Sequence, residues 1–127
     1  MLSYRPKGLY VGGKWLPGSS AKSLVTINPA TGERLAEVPW AGGEEVKLAV
    51  EAAKRGFAEW RRLPPWDRAS QVQELADRIS EHVDELALMD SYDSGNTISG
   101  MRNDVKASVV ALKFYLIIFV CPAAGKF

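Results

Sequence analysis

The sequence predicts an α+β chain, with N-terminal β-hairpins over residues 1–43 followed by about four helices over residues 44–120. Three observations carry that expectation. Gly12-Gly13 separates two short β-favouring runs. Asn28-Pro29-Ala30-Thr31-Gly32-Glu33 separates two apolar runs. From Gly42-Gly43 onward the apolar residues recur at helical spacing.

Leu9–Leu16 reads LYVGGKWL. Glycine accepts positive φ, so the Gly-Gly pair predicts a tight hairpin. Pro17-Gly18-Ser19-Ser20 then interrupts the chain. Leu24–Ile27 is apolar and β-favouring, and Arg34–Val38 returns as RLAEV. Between them Pro29 fixes its own φ and pushes Asn28 out of the helical region. Gly32 can close the turn in a left-handed conformation. On local physics NPATGE is a hairpin connection.

A first helix is expected from about Glu44 to Arg62, with Glu44 and Glu45 at its positive end. Val46, Ala49, Val50, Ala53, Phe57 and Trp60 share one face of it. Pro64-Pro65 stops it, and Pro65 suits the first turn of a second helix running to about Val83. The stripe of that helix is Val72, Leu75, Ala76, Ile79 and Val83. Asp84 can cap a shorter third helix, Glu85–Ser94, with Leu86, Met89 and Tyr92 inward and Gly95 just past its end. A fourth helix runs from about Ser99 to Val120, its buried face marked by Met101, Val105, Val109, Leu112 and Leu116.

The bulk numbers exclude several classes. In 127 residues a formal net charge of +1 and no basic run argue against nucleic acid or an anionic membrane as partner. The single cysteine, Cys121, rules out an intrachain disulfide framework and favours a reducing compartment. MLSYRPKGLYVGGKW contains no continuous apolar stretch of the secretory type. The run LIIFVC, Leu116–Cys121, falls short of a membrane span even when extended back to Val109 and reads as a buried helix end.

Few residues suggest chemistry. The glycine pairs lack the G-x-G-x-x-G spacing of a dinucleotide loop, and no Cys/His cluster exists for a transition metal. His82 lies beside its helix's apolar stripe and reads as solvated. Cys121 follows an apolar run, an environment that raises a thiol pKa, and reads as buried or incidental. Asp93, at a helix end rich in free carbonyls, has two readings: a solvated carboxylate, or one oxygen ligand of a hard cation. On the residues alone the solvated reading is favoured.

The order of the pieces is more specific than any piece. LYVGGKW, TINPATGERLAEVP, EEVKLAVEAAKRGFAEWRRLPPWDRASQVQELADRI, DELALMDSYDSGN, and MRNDV with ALKFY follow one another in register from Leu9 to Tyr115. Together they resemble the opening of the aldehyde dehydrogenase superfamily, NAD(P)-dependent enzymes, with the nearest likeness to the betaine-aldehyde and semialdehyde types. The resemblance implies that an intact relative oxidises an aldehyde to a carboxylic acid with NAD or NADP. A cysteine thiolate forms the thiohemiacetal, hydride passes to the nicotinamide, and a glutamate-activated water hydrolyses the thioester. It also implies a PWN-type motif carrying the oxyanion-hole asparagine.

No such motif occurs here: Pro39-Trp40 is followed by Ala41, and Cys121 stands in FVCPAAG rather than a G-Q-x-C-type stretch. The resemblance therefore assigns no catalytic and no cofactor-binding residue to this chain. Residues 1–127 are expected to be the N-terminal part of a cofactor-binding domain, truncated before the catalytic residues, inactive alone and with residues 116–127 divergent. The implied compartment is the cytoplasm. Implied partners are full-length dehydrogenase subunits of a homo-oligomer, with neither nucleic acid nor membrane. The resemblance further implies a monovalent cation, K+ or Na+, held by the backbone carbonyls of Thr26 and Ile27 and by Asp93. A second expectation is a non-catalytic binding or regulatory module that exposes the apolar faces of its first and fourth helices.

Overall fold

The computed structural model describes residues 8–18 and 22–120, with the backbone alone for 117–120. Cys121 and the rest of the tail, residues 19–21, and the first seven residues lie outside the described part. Four strands precede four helices: β1 (Leu9–Val11), β2 (Lys14–Leu16), β3 (Ser23–Ile27), β4 (Arg34–Pro39), α1 (Gly43–Trp60), α2 (Pro65–Glu81), α3 (Val83–Ser94) and α4 (Ile98–Val120). They form two compact units, Met1–Arg62 and Leu63–Phe127.

In the first unit, β1 and β2 pair antiparallel across Gly12-Gly13 in the register Leu9↔Leu16, Tyr10↔Trp15, Val11↔Lys14. Both glycines have positive φ, 59° and 81°, as the mirror-image hairpin turn requires. The Tyr10 and Trp15 rings meet across the ribbon with centroids 4.9 Å apart. β3 and β4 pair antiparallel from Ser23↔Pro39 to Thr26↔Ala36, and the register then jumps to Ile27↔Arg34. Leu35 is the extra residue of that bulge, which bends the strand and interrupts the ladder.

Helix α1 starts at Gly42, whose N–H donates to the Glu45 carboxylate at 2.9 Å. Glu45 is only 6% exposed, so its charge sits against the helix's positive end. α1 packs on β1. Its protected side carries Glu45, Ala49 and Ala52; of the expected stripe only Ala49 and Trp60 are half-buried, while Val46, Val50, Ala53 and Phe57 are exposed, Phe57 by 63%. The hairpin strand reaches the small side chains of the helix, and the larger apolar ones point away.

In the second unit α4 packs against both α2 and α3. The expected α4 face is the buried one, with Val105 and Val109 buried and Met101, Leu112 and Leu116 half-buried. In α2, Ala69 and Ala76 are buried while Leu75 is exposed. In α3, Ala87 is fully buried and Tyr92 is exposed, so the helix turns a smaller residue inward than expected. Asp84 does not cap α3. His82 occupies the cap position and Asp84, in the first turn, holds the Arg102 Nε at 2.6 Å. Gly95 ends α3 in the left-handed conformation, φ 76°, its N–H donating to the Ser91 carbonyl.

One polar contact ties α2 to α4. Lys113 Nζ donates to Asp77 at 2.9 Å, and Gln73 donates to both oxygens of the same carboxylate. Hydrogen bonds from Gln73, then from Lys113, hold the Asp77 carboxyl below the usual aspartate value. A carboxyl whose pKa is lowered on folding adds stability above its unfolded pKa and loses it as pH falls through the folded one. The thermal midpoints of the wild type and Asp77→Asn should therefore differ above the ordinary aspartate pKa and converge as the pH falls well below it. Parallel thermal melts across that range check it.

Candidate functional site

Asn28 organises the β3–β4 connection. It is 5% exposed, and its Oδ1 accepts from the Ala30 N–H at 2.9 Å. Its own N–H donates to the Glu33 carbonyl and its carbonyl accepts from the Gly32 N–H, each at 2.8 Å. Gly32 has φ 73°. The sequence order Asn-Pro-x-x-Gly thus closes on itself, with the buried polar atoms of Asn28 satisfied locally. Below the loop, Ser23 and Arg34 both donate to Glu37. Ser23 first, then Arg34, lower the Glu37 pKa.

Thr26 and Ile27 flank the bulge, next to this loop. They are neighbours in the first unit. Asp93 belongs to the second, in the last turn of α3. It is exposed, and around it Ser94 Oγ donates to the Asp90 carbonyl at 2.6 Å and Ser91 Oγ to the Asn96 carbonyl at 2.7 Å. Backbone carbonyls at an interrupted ladder and a carboxylate at a helix end are hard oxygen donors, the type suited to an alkali cation. Among the described residues no three His, Cys, Asp or Glu side chains gather as a metal cluster.

The dinucleotide site of doubly wound proteins is the switch point of a parallel sheet. Here the described strands form two separate antiparallel pairs. The groove lined by Tyr10, Val11, Gly12, Ala49, Ala52 and Ala53 measures about 270 Å³ and offers no charged group for a pyrophosphate. Among the described residues no helix is long and apolar enough to cross a membrane. His82 Nδ1 lies 3.1 Å from Glu85, three residues on, and the pair is exposed.

Three features escaped the sequence reading. The buried capping role of Glu45 was signalled by its place three residues after Gly42. The burial of Asn28 had no signal beyond its place before proline. Arg68, whose Nη1 donates to the Leu63 carbonyl at 3.2 Å, also buries an Nε without a partner, and nothing in the spacing marked it.

Residues 15–120 match the sequence model of the aldehyde dehydrogenase family. The chain belongs to that family. It is similar to the 2-aminomuconic semialdehyde dehydrogenase of Danio rerio, 39% identical over 107 residues, covering 84% of this chain and 22% of the relative. Malonate-semialdehyde dehydrogenase 3 of Geobacillus kaustophilus is 37% identical over 105 residues, covering 83% of this chain and 22% of the relative. Among solved structures, the NAD-dependent benzaldehyde dehydrogenase of Corynebacterium glutamicum superposes with a TM-score of 0.84 at 27% identity, over 89% of this chain and 25% of that one. The chain thus spans about a fifth of the length of the curated relatives it matches. Its hairpins and helices are the α+β portion of the aldehyde dehydrogenase fold.

Proposed function

We propose that this chain is the N-terminal part of the cofactor-binding domain of an NAD(P)-dependent aldehyde dehydrogenase, and that its 127 residues supply scaffold rather than catalysis. The observation that carries this reading is the family match over residues 15–120, joined to the two antiparallel pairs that the described strands form where a dinucleotide crevice needs a parallel sheet. In the whole enzyme, aldehyde, water and the oxidised nicotinamide would give the carboxylic acid, the reduced nicotinamide and a proton, through a cysteine thiolate. The carbonyls of Thr26 and Ile27 and the carboxylate of Asp93 are the ligands this chain would lend to K+ or Na+ there. The compartment that fits is the cytoplasm.

The test is direct. The purified chain, mixed with a panel of aldehydes and either NAD+ or NADP+, should form reduced nicotinamide no faster than a protein-free blank. Turnover above the blank overturns the scaffold reading.

The exposed Val46, Val50 and Phe57 of α1 and Val110 and Phe114 of α4 favour a second reading, a binding module. Its partner would be a full-length dehydrogenase subunit. Co-elution of the purified chain with such a subunit would support it, and separate elution would remove it.

A further inference from the structure

The two edges of the β3–β4 sheet differ. β4 carries Arg34, Glu37 and Pro39, charges and a missing N–H that blunt an edge. β3 reads SLVTI, with no charge and no proline, and Leu24, Val25 and Ile27 are exposed. Among the described strands nothing pairs with its outer side. The direction of its backbone groups follows from one bond. Trp40 N–H donates to the Lys22 carbonyl at 2.9 Å. Antiparallel pairs alternate, so Leu24↔Val38 and Thr26↔Ala36 exchange the next bonds, and the N–H and C=O of Ser23 and Val25 face away from β4. Pro39, opposite Ser23, is consistent with that alternation because it has no N–H to give.

We infer that β3 is a self-pairing edge, and that two copies of this chain associate by antiparallel β3–β3 pairing about a twofold axis through Val25. That register sets Val25 against Val25 of the partner copy, and Ser23 against Ile27 of the partner copy. It brings no like charges together, since Lys22 then faces the neutral Asn28 of the partner copy. The product is a four-stranded sheet in the order β4-β3-β3-β4 with its charged strands outermost. A two-stranded ribbon is marginal in water, whereas a wider sheet with an apolar face is not. The interface is isologous, so it closes at two copies and does not propagate.

The test uses the whole chain and sedimentation velocity at micromolar concentration, with circular dichroism to confirm folding. The wild type should sediment as a dimer. Val25→Lys and Val25→Glu should each be monomeric, because the axis places each new charge against itself. An equimolar mixture of the two should recover the dimer. Val25→Pro, which removes an outward N–H that β4 does not use, should also be monomeric. A monomeric wild type, a dimeric Val25→Lys, or a mixture of folded variants that stays monomeric would each overturn the inference.

Discussion

Replacing Val105 by aspartate should unfold the helical unit, while the same change at Val110 should leave it folded. Val105 is 7% exposed on the face that α4 turns inward; Val110 is 67% exposed. At position 105 the substitution forfeits the burial of a valine, about 2 kcal/mol. It also places a carboxyl where it must either desolvate a charge or take up a proton far above its usual pKa. The sum is about 4 kcal/mol or more, on the order of the whole stability of a small domain. At position 110 the exchange costs little, because valine and aspartate have nearly the same helix propensity and the side chain stays in solvent. Far-UV circular dichroism with urea titration of both variants checks the contrast. Equal losses would mean that α4 does not bury the face described.

The second large effect comes from enlarging Ala76. Its exposure is 0%, and it lies on α2, which packs against α4. Leucine there adds volume that the contact can accept only by moving a helix or leaving a rotamer well, at about 1–3 kcal/mol. Leu75→Ala, at the neighbouring and half-exposed position, should cost less than about 1 kcal/mol, because it leaves no cavity. Urea midpoints of the two variants should therefore order opposite to the usual rule that losing a leucine hurts more than gaining one.

Much of the architecture was legible from residues whose physics is local. Gly12-Gly13, Asn28-Pro29, Gly32 and Gly95 stand where the backbone needs them, and Pro64-Pro65 separates two helices as read. The buried face of α4 was also legible, since that helix has partners on two sides and its heptad-like spacing meets them. The α1 face was not. Periodicity marks an apolar stripe but not the partner that will cover it, and the β1 strand meets Ala49 and Ala52 instead of Val46 and Val50. Tyr92 and Leu75 misled for a related reason: the close approach of helices selects small residues, and the eye selects large ones. The bulge at Thr26 and Ile27 was not legible, because it depends on strand register, which no spacing rule reports.

Ala69, Ala76 and Ala87 carry a further consequence. Where alanines rather than large side chains fill the buried positions, and no large side chain is fully buried among the described residues, unfolding releases little apolar surface. The heat-capacity increment and the denaturant slope both scale with that surface. The helical unit should thus have a flat stability curve and a shallow urea transition, so that it melts over a wide interval of temperature instead of at a sharp point.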